Sequence, residues 1–209
     1  IKGNSYTRYS VRANLDYKIT NNFKAALTAG WNRGDNKRVP AAWSGGIGDA
    51  LSTALPIYSV YNDDKTYWTV GANPVRRLNE TKWRNVDNRF LGGLTLEYNP
   101  LKDLILKATG SIDHLNSNDL QFETQNWLNR TDIPGIAKAN PIWGINKVFT
   151  GTAQYNYTLN DNHRFNFLAG VETQENIIEA YNGEIYAFTD KPFWEQMGLY
   201  RVSGEHFKT

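Results

Sequence analysis

Hydrophobic and polar residues alternate strictly along the first part of the chain. Between Tyr9 and Ile19 every second residue is apolar, and the residues between them are polar or charged. The alternation restarts after Asn21 and Asn22 and continues from residue 23 to residue 31. A period of two is typical of a β-strand with one apolar face, and a tight turn between two such strands makes a hairpin. These residues therefore predict a β-hairpin.

The same unit occurs twice more along the chain. In the second unit, alternating residues 90–98 and 104–112 flank an Asn-Pro-Leu-Lys-Asp turn. In the third, alternating residues 149–159 and 165–171 flank an Asn-Asp-Asn turn. The sequence therefore predicts three hairpins, and hence six strands.

The turns within the hairpins are short, whereas the connections between hairpins are long. The long connections lie near residues 34–87, 115–147 and 176–209. Strands of about ten residues, joined alternately by short turns and long extracellular loops, are typical of outer-membrane β-barrels. The predicted fold class is all-β, an antiparallel transmembrane β-barrel segment, with residues 1–209 as part of one barrel domain.

Six strands do not close such a barrel by themselves. In hydrocarbon every backbone N–H and C=O group must be paired, which a closed ring of strands achieves, and the smallest barrels have about eight strands. We therefore expect the chain to be a piece of a longer protein. The alternative is a soluble β-sandwich whose apolar face is its core, because alternation alone does not separate the two folds.

The two faces of the predicted strands differ in the chemistry they present. Aromatic residues stand at both ends of the apolar faces, as the interfacial girdles of a barrel require. Beside the short turns these are Tyr17, Phe23, Tyr98, Tyr157 and Phe165, and at the opposite ends they are Tyr9, Trp31, Phe90 and Phe149. The charged residues that we expect to face a wet lumen are Arg12, Asp16, Lys24, Arg89, Glu97, Lys107, Arg164 and Glu172. Leu91 and Leu168 break the alternation, because each places a leucine on the polar face.

Composition excludes several other classes of protein. The chain has no cysteine, which excludes disulfide scaffolds, zinc–thiolate sites and thiol nucleophiles. Its 23 basic and 21 acidic residues leave a net charge of +2, too small to favour nucleic acid. The three histidines, His114, His163 and His206, have no partner at metal-binding or catalytic spacing. We expect no catalytic site, metal or cofactor.

Three stretches of the sequence resemble a known family. They are the opening hairpin at 8–23, the Leu-Glu-Tyr-Asn-Pro-Leu-Lys-Asp-Leu turn at 96–104, and the segment 55–67 followed by Asn-Pro-Val at 73–75. Their order and spacing are similar to those of the SusC/RagA-type TonB-dependent outer-membrane transporters. The resemblance extends from about residue 6 to residue 185. Ser59 stands where the family often has Pro, and Lys65 where it often has Gly.

This resemblance implies a function and partners. It implies a barrel of about 22 strands, plugged by an N-terminal domain that is absent from this chain. Such transporters lie in the outer membrane of Gram-negative bacteria and take up glycans or oligopeptides. They work with a SusD-like surface lipoprotein, and TonB drives uptake by pulling on the plug.

Tryptophans and a basic cluster in the predicted loops are candidates for contact with substrate or partner. Flat aromatic faces stack on sugars and on peptide side chains, although long loops also need aromatic residues for cores of their own. Basic side chains suit a lipopolysaccharide, an acidic substrate or the lipoprotein, but they also suit a solvated loop surface. The candidates are Trp43, Trp68, Trp83, Trp127, Trp143, Arg76 and Arg77, with Trp194, Lys82 and Arg84 beside them.

Two other loop motifs have simpler structural interpretations. Asn62-Asp63-Asp64 offers oxygen ligands for calcium, but the sequence around it favours a hairpin turn. A glycine-rich stretch at 45–48 precedes a predicted short helix at 50–55, with Asp49 as its N-cap.

Two rival functions remain open at this point. An outer-membrane adhesin or structural barrel without active transport would use its loops for contact alone. An outer-membrane hydrolase would need a Ser–His–acid cluster at the barrel rim, for which His114 beside Asp113 is the candidate.

Overall fold

The computed structural model describes residues 3–39, 47–69, 73–124, 135–160, 163–186 and 207–208. In these residues eight strands form one antiparallel sheet. The strands are β1 (Ser5–Thr20), β2 (Phe23–Arg38), β3 (Thr81–Leu101), β4 (Leu104–Thr124), β5 (Gly135–Leu159), β6 (His163–Ala180), β7 (Gly183–Tyr186) and β8 (Phe207–Lys208).

The strands lie side by side in nearly the order of the chain. Strands β1 to β5 follow one another, and both β6 and β7 pair with β5. The three predicted hairpins are β1–β2, β3–β4 and β5–β6, with β2 also paired to β3 and β4 to β5. The predicted all-β fold class and its antiparallel arrangement are therefore confirmed.

A proline interrupts the pairing of β6 and β7 with β5. Ile142 is opposite Ala180 and Ala139 is opposite Gly183, so the register is the same on both sides of the gap. Within the gap, the Pro141 carbonyl accepts a hydrogen bond from the Tyr181 N–H at 3.0 Å. Proline has no N–H to return, so the ladder is broken there. β7 is thus the continuation of β6 beyond a local break, and the sequence pattern did not predict it.

The strands continue well beyond the ends that alternation predicts. In β4 the alternation stops at the polar run 116–119, yet pairing with β5 continues as far as Thr124 opposite Gly135. Outside hydrocarbon a strand no longer needs an apolar face, so its hydrophobic pattern disappears while its ladder persists. The connections are shorter as a result: β2 and β3 are separated by residues 39–80, and β4 and β5 by 125–134. Trp83 and Trp143 therefore lie in strands β3 and β5, and their predicted location in loops is wrong.

The apolar face of the sheet is uncovered in the described part of the chain. Its large side chains are well exposed: Tyr9 is 61% exposed, Leu15 60%, Phe167 58% and Val171 64%. Extensive contacts between elements run between paired strands, and no second layer of described residues packs on this face. A sandwich would bury such a face, and the described residues do not bury it. An uncovered apolar face of this extent is expected where a sheet meets hydrocarbon.

A small core lies at the loop-side end of the sheet. Leu120 and Phe122 of β4 pack there with Ala137 of β5 and Ile185 of β7, and all four are buried. Leu120 and Phe122 stand directly opposite Ala139 and Ala137 in the ladder. This core is separate from the uncovered apolar face nearer the turns.

Two short helices lie between β2 and β3: α1 (Ile47–Thr53) and α2 (Pro74–Glu80). The predicted helix is present, but it begins at Ile47, so Asp49 lies inside the helix and is not its N-cap. No helix in the described residues has the length and apolar character needed to cross a membrane.

Candidate functional site

The polar face of the sheet gathers the charged residues that the sequence predicts to face the lumen. Successive strand residues point to opposite faces, and the register between strands is continuous over the alternating stretches. All eight therefore stand on one face, opposite the uncovered apolar one. They are Arg12, Asp16, Lys24, Arg89, Glu97, Lys107, Arg164 and Glu172.

Ion pairs cross the strands on this polar face at more than one height. Near the short turns, Lys24 of β2 is directly opposite Glu97 of β3, and Nζ lies 3.0 Å from Oε1. Farther up, Arg89 of β3 donates two hydrogen bonds to the Asp113 carboxylate of β4, at 2.8 and 2.5 Å. These side chains remain partly exposed, so each pair contributes little to stability. Their effect is to hold charges of both signs in fixed positions on a hydrated surface.

A shallow cavity of about 430 Å³ lies on the same face, across β1, β2 and β3. Arg8 and Arg12 lie on its rim, and Gly30 and Leu91, which are opposite each other in the ladder, also line it. A Cβ added at Gly30 would lie 3.9 Å from Leu91 Cβ, so the two residues are in close register. Leu91, an exception to the alternation, thus adds an apolar side chain to a depression that polar residues, Val11 and Ala29 also line.

Aromatic rings line the apolar face beside the short turns, where a membrane interface is predicted. Phe23 and Tyr98 make an edge-to-face contact with ring centroids 6.1 Å apart. Tyr157 stacks on Phe165 at 6.5 Å, and Phe165 on Phe167 at 6.3 Å. Amphipathic rings in this position anchor a barrel at the level of the lipid headgroups.

A compact hairpin at 60–68 stands at the loop side, between α1 and α2. Asn62 and Thr66 pair through backbone and side chain, and the rings of Tyr61 and Tyr67 stack at 5.3 Å. The turn places Lys65 at φ 66°, in the left-handed region that favours glycine. The hairpin-turn interpretation of this motif is therefore confirmed, and we name residues 60–68 the rim hairpin.

The carboxylate of Asp64 is occupied within the rim hairpin. The Thr66 hydroxyl and the Thr66 N–H donate to its Oδ1 at 2.5 and 2.9 Å, which holds the pKa of Asp64 below its ordinary value. Among the described residues, no group of three or more His, Cys, Asp or Glu is arranged to hold a metal ion. Asp64 thus serves the turn itself.

The side chain of Asn73 joins the rim hairpin to α2. Its Nδ2 donates to the carbonyls of Val60 and Trp68 at 2.8 and 3.0 Å, and its Oδ1 accepts from the Arg76 N–H at 3.0 Å as the N-cap of α2. Farther along the helix, Asn79 Nδ2 donates to the Tyr67 hydroxyl at 2.8 Å. The Asn-Pro motif therefore fixes the hairpin against the helix.

The candidate tryptophans fall into different environments. Trp68 is partly buried and stacks on Tyr58 at 6.2 Å. Trp83 stands on the polar face beneath the guanidinium of Arg38, which lies 5.8 Å from its ring centroid. Trp143 stands on the opposite face, in edge-to-face contact with His114 at 5.5 Å. Trp43, Trp127 and Trp194 lie outside the described residues.

The basic cluster also divides between elements and faces. Arg76 and Arg77 belong to α2, whereas Lys82 and Arg84 belong to β3, on the face opposite Trp83. Arg84 donates two hydrogen bonds to the Asp35 carboxylate, at 2.9 and 2.5 Å. The four residues therefore lie on two different elements.

The hydrolase candidate is contradicted by the geometry of β4. His114 and Asp113 are consecutive strand residues and point to opposite faces, so they cannot act as a pair. Asp113 is held by Arg89 on the polar face, and His114 packs against Trp143 on the other.

Comparisons with known proteins agree with this architecture. No family model matches the chain. It is 25% identical over 202 residues to the TonB-dependent receptor P26 of Formosa agariphila, an alignment that covers 91% of this chain and 20% of the receptor. Structures of the RagAB peptide transporter, and of the RagAB peptide importer in an open-open state, each superpose with a TM-score of 0.75 at 18% identity. Those superpositions cover 96% of this chain and 23% of the RagAB chain.

The chain thus spans about a fifth of the length of its curated relative. Its strand order matches a barrel wall, and its apolar face is uncovered in the described residues. The chain is similar in sequence to a TonB-dependent receptor, and it shares the fold of the matched part of the RagAB peptide transporter.

Proposed function

We propose that the protein containing this chain is a TonB-dependent outer-membrane importer of oligopeptides or glycans. The observation that carries the proposal is the pairing of an uncovered apolar face with a continuous polar face that holds fixed charges of both signs. An importer needs both surfaces, because one meets lipid while the other forms a hydrated passage. The likeness to a TonB-dependent receptor and to a peptide importer supports the same function.

The polar face forms part of the passage wall in this proposal. Side chains such as Lys24 and Arg89 are neutralised by neighbours on the adjacent strand, so the wall is hydrated without a strong field of one sign. Such a wall suits substrates of varied sequence or charge better than one strongly charged ligand. TonB is the proposed driver of uptake.

The loop-side rim is the proposed contact surface for substrate and for a SusD-like lipoprotein. The chain entering the rim hairpin leaves Ile57 82% exposed, and Tyr61 within the hairpin is 48% exposed. Exposed apolar and aromatic side chains on an ordered loop are typical of protein contact surfaces. The proposed contact residues are Trp68, Trp83, Arg76 and Arg77, together with Trp43 and Trp127.

Uptake by whole cells tests the proposal. Cells that express the full-length protein would be supplied with labelled oligopeptides and, separately, labelled oligosaccharides, with TonB present or deleted. We expect TonB-dependent accumulation of one of the two classes and co-purification of a surface lipoprotein in mild detergent. Surface binding without TonB-dependent accumulation would instead indicate the adhesin alternative.

A pair of tryptophan variants tests the rim itself. Trp83→Ala removes a ring on the polar face, and Trp31→Ala removes one from the lipid-facing girdle. At equal abundance in the outer membrane, we expect Trp83→Ala to reduce uptake several-fold and Trp31→Ala to leave it unchanged. Equal uptake by the two variants would remove Trp83 from the contact surface.

A further inference from the structure

A group of basic side chains stands on the lipid-facing side of the sheet, beyond the loop-side girdle. Along β2 the residues that continue the apolar face past Trp31 are Arg33, Asp35 and Lys37. Along β3 the positions that continue it past Phe90 include Arg84 and Lys82. We name Arg33, Lys37, Lys82 and Arg84 the outward basic patch.

The outward basic patch has an excess of positive charge. On the lipid-facing side of β1 to β3, beyond the girdle, Asp35 is the one carboxylate among the described strand residues. Arg84 makes a two-fold hydrogen bond to it, and Arg33 and Lys37 are close enough to act on it electrostatically. Three cations, Arg33, Lys37 and Arg84, therefore share one anion.

Arg33 and Lys37 are the members of the patch that stay available to a ligand. Both are exposed, and within the described residues neither donates a hydrogen bond or forms an ion pair. At the other edge of the sheet, Lys147 of β5 lies two residues beyond the girdle residue Phe149. Its charge is neutralised by Glu175 of β6 at 2.8 Å. The excess charge is thus confined to β2 and β3.

A cavity of about 320 Å³ adjoins the patch where α2 crosses the ends of these strands. Lys37, Lys82 and Arg84 line it together with Leu78 of α2, and the polar-face residues Arg38 and Trp83 also line it. Its room and its cationic lining suit a phosphate group together with part of the sugar that carries it.

The height of the patch decides which ligand it fits. Arg33 follows the girdle residue Trp31 by two positions, about 7 Å along the strand, and Lys37 follows it by six, about 20 Å. Because long loops mark the extracellular side, this is the level of the outer leaflet's headgroups and of the sugars above them. A glycolipid with charged groups at two depths reaches both residues, whereas a simple glycerophospholipid reaches only the lower one.

From this placement we propose that the outward basic patch binds a phosphorylated glycolipid of the outer leaflet, such as lipopolysaccharide. The sheet would bring the acyl chains against its apolar band, while Arg33 holds the lower charged group and Lys37 the upper one, with Lys82 and Arg84 beside it. The patch faces away from the polar passage wall, so this site is distinct from the proposed transport path.

Retention of lipid by the full-length protein tests this site. The protein would be purified in mild detergent and titrated with deep-rough lipopolysaccharide, and bound lipid would be counted by native mass spectrometry. Each outward basic residue near a charged surface strengthens lipid binding substantially, so Arg33→Gln with Lys37→Gln should weaken binding by about tenfold or more. The matched control is Lys18→Gln with Lys102→Gln, which removes the same charge at the short-turn end and should bind as the wild type does.

Several results would overturn the proposal. These are unchanged binding by the Arg33/Lys37 variant, an equal loss in the control, or equal binding of phosphatidylglycerol by the wild type, which would indicate a general attraction to anionic lipid. Loss of the co-purifying lipoprotein in the Arg33/Lys37 variant, with lipopolysaccharide binding intact, would instead assign the patch to a protein partner. Uptake does not enter the measurement, so the result is independent of the transport function.

Discussion

Asn73 reaches back across thirteen residues to donate a hydrogen bond to the carbonyl of Val60 at 2.8 Å. The same side chain caps α2 through its other atom, so one residue both starts a helix and holds a hairpin. A polar side chain from outside the rim hairpin therefore helps to order it, together with the hairpin's own backbone bonds and the stacked rings of Tyr61 and Tyr67.

Replacing Asn73 should release the rim hairpin while the barrel wall stays folded. Asn73→Ala removes the cap and leaves two carbonyls without this donor, a local loss of about 2 kcal/mol. In the full-length protein, we expect faster proteolysis within residues 58–68. Asn73→Asp keeps the capping oxygen but lacks the Nδ2 donor, so it should expose the hairpin while α2 persists. Identical proteolysis of Asn73→Ala and the wild type would contradict this role.

Lys65 carries backbone strain that glycine would relieve. A positive φ costs a residue with a Cβ about 1 kcal/mol relative to glycine. Glycine loses more chain entropy on folding, which offsets part of this gain. We expect Lys65→Gly to slow proteolysis of the rim hairpin. Asp63→Gly, at a neighbouring turn position that has no positive φ, should accelerate it. Faster cleavage of Lys65→Gly would show that the turn does not need the left-handed conformation.

A new charge should destabilise the barrel on one face of β1 and have little effect on the other. Leu15 stands on the uncovered apolar face at 60% exposure, and its neighbour Asn14 stands on the polar face. A lysine near the middle of a lipid-facing strand costs about 2–4 kcal/mol. We expect Leu15→Lys to reduce the folded fraction of the full-length barrel, measured by heat-modifiable migration in gels, and Asn14→Lys to leave it near the wild-type level. Equal sensitivity at both positions would argue against a lipid-facing apolar surface.

Two glycines on adjacent strands should differ in their tolerance of a methyl group. A Cβ at Gly93 would lie 2.8 Å from Thr28 Oγ1, whereas a Cβ at Gly110 would meet no atom within 4 Å. Gly93→Ala should therefore lower the thermal unfolding temperature of the barrel, and Gly110→Ala should not. Adding Thr28→Ala to Gly93→Ala should recover part of the loss, because it removes the colliding atom. Failure of that rescue would place the clash elsewhere.

The sequence predicted the strands that cross hydrocarbon, because there each side chain must suit lipid or water. Residues 9–19 and 149–159 show this alternation without interruption, and both lie in strands as expected. The loop-side ends were not predictable in the same way. At 116–119 four polar residues follow one another, and the backbone pairing that continues through them leaves no trace in hydrophobicity.

The contacts at the rim also could not be predicted from the pattern of hydrophobic and polar residues. The Asn-Pro motif at 73 and 74 is one of the sequence stretches that resemble the family. The hydrogen bonds from the Asn73 side chain to Val60 and Trp68, however, depend on how the chain folds back. The faces of Trp83 and Trp143 became predictable only once both were known to lie in strands. Successive residues of a strand point to opposite faces, so Lys82 and Arg84 lie on the face opposite Trp83. This is why the two basic residues are assigned to lipid and not to substrate.

The break opposite Pro141 has a mechanical consequence. Below it, β6 is bonded to β5 residue by residue, so a pull on one strand is shared along the whole ladder. Above it, β7 and the small core around Phe122 and Ile185 form an outer tip. On the β6 side, the tip is joined to the wall by two unladdered residues and one hydrogen bond. Tension on β7 therefore reaches β6 through the covalent chain and through β5, whose ladder with β4 runs unbroken past Pro141.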